Sequence, residues 1–397
     1  MTYPSDFDQP RDRRCSDSIK WRLYDEDILP MWVADMDFLS PEPIKRALRE
    51  RVEHGFFGYP DCSHDDPDQP SILQQVIAER MLQRYNWLVK PNEVFFIPGV
   101  VTGFNLAIHA LVSPAEALLA QTPVYPPILN AARETGVQGQ ETELTLNPDG
   151  SYDVDLDLFE RSLTPQTKLF ILCNPHNPVG KVFRTDELQR MAEICLRHDV
   201  LICSDEIHCD LVYSGHTHVP IASLDPEISK NTITLMAPSK TFNLAGLQCS
   251  FAIIQNPELR KRYLHARRGL VPWVNLMGML AARVAYQQGD SWLVELLQYL
   301  EANRDFLFDY VAAELPGIKM YRPQGTYLAW LDCRAAGISQ NPCQFFKEVG
   351  RVAFNDGEAF GASGRGFVRL NFGCPRSTLL DGLERIKKAL AQVQRPV

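Results

Sequence analysis

Thr232–Met236 reads as a buried strand, and it runs into Ala237-Pro-Ser239-Lys240-Thr-Phe-Asn-Leu-Ala-Gly246. A lysine at a buried strand end is costly as an ammonium, because burial strips its hydration. Desolvation lowers its pKa and favours the free amine. That amine attacks carbonyl groups and is the form needed for Schiff-base chemistry. The ends of four other candidate strands carry groups that such chemistry would use.

Leu169–Cys173 leads into Asn174-Pro-His-Asn177-Pro-Val-Gly180. Two X-Pro steps and a glycine confine this loop to extended or turn shapes. Asn177 would then present a neutral amide donor at one place, as a phenolate oxygen requires. Val200–Cys203 leads into Ser204-Asp205-Glu-Ile-His208. A carboxylate there must find a cation or shift its pKa. Asp205 is a candidate to hold a proton on a ring nitrogen, with a structural hydrogen bond as the plainer reading. Ala117–Ala120 leads into Gln121-Thr-Pro-Val-Tyr125-Pro-Pro127. Tyr125, held beside prolines, suits stacking on a flat heterocycle, and its hydroxyl can act as an acid; a packing tyrosine reads the same way. Val94–Ile97 leads into Pro98-Gly-Val-Val-Thr-Gly103 and a helical pattern. The amides of Val100 and Val101 would form a phosphate cup at the helix start, although an ordinary strand–helix turn has the same composition. A carbonyl-reactive lysine, a carboxylate, an amide, a stacking ring and a phosphate cup make up the inventory that pyridoxal 5′-phosphate (PLP) requires.

The elements that must position these groups follow from the alternation of short apolar runs with helical patterns. In Thr185–Arg197, Leu188, Met191, Ala192 and Cys195 recur at helical spacing, with Thr185 as the expected N-cap. Such alternation predicts an α/β fold with a mostly parallel sheet and helices on both faces. In such sheets ligands bind beyond the carboxyl ends of the strands. After residue 290 the pattern changes to a long amphipathic helix, Leu293–Leu315, followed by two strand-like runs, Gly325–Asp332 and Gly366–Asn371, expected to be antiparallel. The predicted organisation is a large α/β domain over 46–290 and a small α+β domain from 1–45 and 291–397.

The 397 residues are 45% hydrophobic and 22% charged, with a net charge of −9. That balance argues against a nucleic-acid partner. Residues 1–15 contain no apolar run, so no secretory signal is expected. The uncharged stretch Val94–Ala115 is broken by Pro98, Gly99, Gly103 and Pro114 and reads as strand, turn and helix rather than a membrane span. Ten cysteines without a CxxC pair suggest reduced thiols and a cytoplasmic setting. His216-Thr-His218 has no carboxylate or cysteine beside it at ligand spacing, so an exposed loop and no metal are expected. Gly361-Ala-Ser-Gly-Arg-Gly366 lacks the GxGxxG spacing of a nicotinamide enzyme and reads as a flexible loop.

The chain resembles the aspartate-aminotransferase superfamily, the fold type I PLP enzymes. Within it, the chain is most similar to the MalY/PatB-type C–S β-lyases. The resemblance rests on segments in order from residue 30 to residue 376: Pro30-Met-Trp-Val-Ala-Asp-Met-Asp-Phe38, His54-Gly-Phe-Phe-Gly-Tyr-Pro60, Thr122-Pro-Val-Tyr125, the loops starting at Asn174 and Ser204, Ser239-Lys-Thr-Phe-Asn243, Tyr327-Leu-Ala-Trp-Leu-Asp332, Gly366-Phe-Val-Arg-Leu-Asn371 and Cys374-Pro-Arg376. It implies a PLP Schiff base on Lys240, Asp205 at the pyridinium nitrogen, Asn177 and His208 near the ring hydroxyl, and Tyr125 stacked on the ring. Val100, Val101 and Ser239 would hold the phosphate. Tyr59 would reach the neighbouring subunit's site in a homodimer. Arg369 would clamp the substrate α-carboxylate, with the backbone near Ala34 closing over it. Gln248 stands where many transaminases have a phosphate-binding arginine, and His208 where many have a tyrosine. Both departures resemble the lyase branch.

The implied reaction is β-elimination from cystathionine or another cysteine S-conjugate, with Lys240 taking the Cα proton and Tyr125 or Lys240 protonating the leaving thiolate. An aminotransferase using the same lysine is the alternative. A regulatory protein-binding role, which relatives of this branch can combine with their chemistry, is the second. Neither the leaving thiol nor the biological pathway follows from these residues.

Overall fold

The computed structural model describes residues 6–60 and 70–393. Seven strands form the main sheet: β1 (Val94–Ile97), β2 (Ala117–Thr122), β3 (Gln138–Glu143), β4 (Thr167–Cys173), β5 (Leu201–Asp205), β6 (Thr232–Met236) and β7 (Ser250–Ile253). Their spatial order is β1-β7-β6-β5-β4-β2-β3. β7 runs antiparallel to β1 and β6, and the other adjacent pairs are parallel. The inner strands are near-continuous apolar runs because both of their faces are covered. Along β4, Leu169, Ile171 and Cys173 pack into one apolar layer and Phe170 and Leu172 into the other, the two-residue period of a pleated strand. The edge strand β3 was not expected from the sequence. Its residues, Gln-Gly-Gln-Glu-Thr-Glu, have no apolar pattern, yet they pair in register with the whole of β2 from Ala117↔Gln138 to Thr122↔Glu143. A polar edge also discourages pairing with another chain.

Five helices matter for the site or its supports: α1 (Glu42–His54), α2 (Ile72–Tyr85), α3 (Val100–Leu111), α4 (Thr185–Arg197) and α5 (Asp290–Glu314). The cap of α4 differs from expectation. Arg184 is the N-cap and Thr185 the first helical residue; the Glu187 carboxylate reaches back to accept from the Arg184 N–H at 2.8 Å, so no threonine hydroxyl is needed.

A second sheet is antiparallel, with order β8-β9-β11-β10 for β8 (Lys319–Met320), β9 (Leu328–Asp332), β10 (Asn355–Asp356) and β11 (Phe367–Asn371). Leu29–Pro30 pairs in parallel with Val352–Ala353, which ties the N-terminal stretch beside this sheet.

The histidine pair at 216–218 is only half the exposed loop that its sequence suggests. His216 is exposed, but His218 is buried, with Nε2 2.8 Å from Glu206 Oε2. Glu206 is itself fully buried at the end of β5, and a carboxylate there needs a partner. Among the described residues no group of three or more His, Cys, Asp or Glu is arranged to hold a metal, and no helix is long and apolar enough to cross a membrane. The 361–366 segment is not an open loop either: Gly357–Phe360 and Ala362–Gly364 form 3-10 turns, with Gly357 and Gly364 in backbone contact.

Candidate active site

A cavity of about 440 Å³ opens at the carboxyl ends of β4, β5 and β6, with the start of α3 on one wall and residues 32–34 and β11 on the other. Ten of the eleven residues singled out by sequence line it. Tyr59 is the exception. It is 94% exposed and its ring lies 5.9 Å from that of Trp273.

Lys240 follows β6 at a half-buried position facing the cavity, where its Nζ donates to the Ala34 carbonyl at 2.7 Å. The same carbonyl accepts from Tyr327 Oη at 3.0 Å. Burial, and then the charge of Arg369, pull the Lys240 pKa down to about 8 against the opposing pull of Asp35 and Asp205. Asp205 is the last residue of β5, and its Oδ1 accepts from the Ile207 N–H at 3.1 Å. Burial pushes this carboxyl up to about 7, against the Ile207 hydrogen bond and the Lys240 charge. Burial also raises the Tyr125 phenol, so it is a protonated donor at neutral pH. His208 lines the same wall. Burial and then the charges of Lys240 and Arg369 lower it to about 3, so its ring is neutral, and its buried Nδ1 has no hydrogen-bond partner among the described residues.

The Asn174–Gly180 loop is pinned beside the Tyr125 loop by His176, whose Nε2 lies 2.8 Å from the Pro123 carbonyl. Asn177 accepts from Arg369 Nη1 at 2.9 Å through its Oδ1, which leaves its amide N–H groups as donors. Arg369 Nη2 donates to Asn355 Oδ1 at 2.6 Å and to the Trp32 carbonyl at 3.2 Å. Its Nε is buried without a partner among the described residues, and burial lowers its pKa to about 10. A side chain two residues along β11 points the same way. Asn371 accordingly donates to the carbonyls of Val33 and Asp35 at 2.6 and 2.9 Å. Asn243, in a left-handed conformation at φ 57°, donates to the carbonyls of Met36 and Phe38 and accepts from the Met36 N–H.

Gly99 caps α3 at φ 120°, a backbone that favours glycine. Val100 and Val101, which begin α3, line the cavity, as do Ser239 and Gln248.

Sequence reasoning missed the roles of Trp32, Asn243, Tyr327, Asn355 and Phe360. Trp32, Asn243 and Tyr327 lie inside recognised segments, but Trp32 acts through its carbonyl and the other two hold backbone, which residue type does not signal. Asn355 sits in a two-residue strand with no pattern around it.

A family model described as aminotransferase class I and II matches residues 26–386. The chain belongs to that family. It is 40% identical to cystathionine beta-lyase PatB of Bacillus subtilis (strain 168) over 97% of this chain and 100% of the relative. The crystal structure of OvoB superposes with a TM-score of 0.90 at 43% identity, covering 97% of this chain and 98% of that one. The PLP-bound C–S lyase of Staphylococcus hominis superposes with a TM-score of 0.91 at 32% identity, covering 98% and 100%.

Proposed function

We propose that the protein is a PLP-dependent C–S β-lyase that converts L-cystathionine or another cysteine S-conjugate, with water, into a thiol, pyruvate and ammonia. One observation carries this: a buried amine with a lowered pKa, a buried carboxyl with a raised one and a guanidinium lacking an anionic partner share a single cavity. The naming of full-length relatives as cystathionine beta-lyase and C–S lyase points the same way.

The donor set fits PLP. Lys240 has the amine for its aldehyde, and the buried Asp205 carboxyl gains a reason to ionise from a ring N–H⁺. Asn177 has amide donors for the ring hydroxyl, and His208, whose buried Nδ1 has no partner among the described residues, lines the same cavity. Tyr125 would stack on the ring, and Val100, Val101 and Ser239 would hold the phosphate. When bound, PLP supplies an electron sink for negative charge at Cα. Arg369 holds the substrate carboxylate, and the backbone near Ala34 closes over it. The Lys240 amine takes the Cα proton. As the Cβ–S bond breaks, its electron pair leaves with sulfur, and Tyr125 or the protonated Lys240 gives the thiolate a proton. The released enamine hydrolyses to pyruvate and ammonia.

Three further assignments belong to this reading. Tyr59, exposed and outside its own chain's cavity, is assigned to the neighbouring subunit's site in a homodimer. The domain division is taken as 46–290 against 1–45 with 291–397. A cytoplasmic setting is supported by nine free cysteines among the described residues.

The test is holoenzyme with L-cystathionine. Stoichiometric pyruvate and free thiol, both lost in Lys240→Ala, are expected. Amino-group transfer that depends on an added keto acid, with no thiol released, would refute the lyase in favour of an aminotransferase.

A further inference from the structure

Arg369 is a buried cation among neutral groups. Its hydrogen-bond partners are two asparagine oxygens and one backbone carbonyl, and among the described residues no carboxylate lies within ion-pair distance. A charge so placed needs some other compensation. The guanidinium carbon Cζ lies over the ring of Phe360, 5.0 Å from its centroid, inside the range of a cation–π contact. Phe360 is fully buried and ends the 3-10 turn Gly357–Phe360. Its ring meets Trp330 edge-on at 5.3 Å, and Trp330 is stacked on Phe367 at 5.1 Å and 10°. Trp330 is held in turn by its Nε1 hydrogen bond to Tyr152 Oη at 3.2 Å. The ring under Arg369 therefore rests on a rigid aromatic support.

We propose that Phe360 is a positioning residue for carboxylate recognition, compensating the Arg369 charge from its ring so that the guanidinium's donors rest on neutral oxygens that a substrate carboxylate can displace. This rests on the assignment of Arg369 to the substrate α-carboxylate. A guanidinium gives its hydrogen bonds to oxygen acceptors, whereas a ring quadrupole attracts the charge toward the ring face without supplying an oxygen. Phe360 thus stabilises the cation without occupying any donor. A carboxylate in the same place would stabilise it more, but would compete with the substrate for the fork. An aliphatic side chain would fill the space and leave the charge uncompensated. Phe360 also touches the opposite side of the site through its backbone: its carbonyl accepts from the Val124 N–H at 2.9 Å, next to Tyr125. That bond survives any side-chain replacement, so substitution isolates the ring.

The test compares Phe360→Leu, Phe360→Met and Phe360→Tyr as holoenzymes. Steady-state kinetics on L-cystathionine are read beside binding of two amines that cannot eliminate, followed by the visible absorption of the bound cofactor. L-Alanine carries the carboxylate, and ethylamine lacks it. Leu and Met are expected to raise both KM and the L-alanine Kd by about tenfold, the scale of a desolvated cation–π contact. Kcat should stay within about twofold, because the carboxylate is held alike in ground and transition states. Ethylamine affinity should not move, and Tyr, which keeps the ring face, should restore wild-type values. If Phe360→Leu fails to fold, Phe360→Met, close to phenylalanine in volume, carries the comparison alone. Unchanged L-alanine binding in Leu and Met, or an equal loss for ethylamine, overturns the proposal. Arg369→Gln separates the two levels. If it too leaves KM unchanged, the carboxylate assignment is wrong; if it raises KM by about a hundredfold while the Phe360 variants do not, only the role of Phe360 falls.

Discussion

The lowered pKa of Lys240 makes a prediction about the protein before any cofactor is bound. At pH 7 a lysine with its ordinary pKa of 10.5 is almost wholly protonated, whereas one at about 8 has roughly a tenth of its amine free. The ratio is on the order of 300-fold, and it comes first from burial and then from Arg369. Capture of an aldehyde requires the free amine, so the rate at which apoenzyme takes up PLP should follow that fraction. Stopped-flow absorbance across pH 6 to 10 should show the rate rising and then levelling with a midpoint near 8. Arg369→Gln removes a repelling cation, so its midpoint should move up. A rate that keeps climbing about tenfold per pH unit beyond pH 9 would mean an ordinary lysine and refute the argument. An Arg369→Gln midpoint at or below that of the wild type would refute the electrostatic part.

Other consequences can be measured independently. Asn243→Gly keeps the left-handed backbone at φ 57° but removes three hydrogen bonds to residues 36 and 38; a loss of about 2–3 kcal/mol in denaturant unfolding is expected. His218→Ala removes the partner of Glu206 Oε2 and leaves Oε1 on Ser204 and the Ile221 N–H; it should cost about 1.5–3 kcal/mol although it lies outside the cavity lining. Mixing Lys240→Ala with Tyr59→Ala subunits under exchange should recover about one quarter of wild-type activity, because half of the dimers then hold one intact site. No recovery from two inactive parents would argue against a shared site.

Much of this arrangement is legible in the sequence, and the reasons are local. β4, β5 and β6 are apolar runs because both faces are buried, and each ends in a loop whose residue types already indicate chemistry: Asn177, Asp205 and Lys240. The edge strand β3 is illegible because its stability comes from backbone pairing with β2 and not from side-chain burial. Thr185 failed as a cap because Glu187 supplied the acceptor from inside the helix. His218 looked like surface because its partner Glu206 is twelve residues away in sequence, beyond any helix or hairpin spacing. Phe360 and Asn355 act only once β11 has brought Arg369 across the cavity, a contact set by tertiary packing.

The stretch from residue 32 to residue 36 makes little use of sheet pairing. Its carbonyls are met in turn by Arg369, Asn371, Lys240 with Tyr327, Asn371 with Lys20, and Asn243 with Arg13. Donors from both sheets and from the chain's own N-terminal residues therefore read this stretch by position along the backbone rather than by side-chain identity. Such a stretch should accept replacement of many of its side chains while tolerating no change in its length. One residue inserted ahead of it would put every carbonyl opposite the wrong donor, so that Lys240 would lose its resting partner and Arg369 one of its three together.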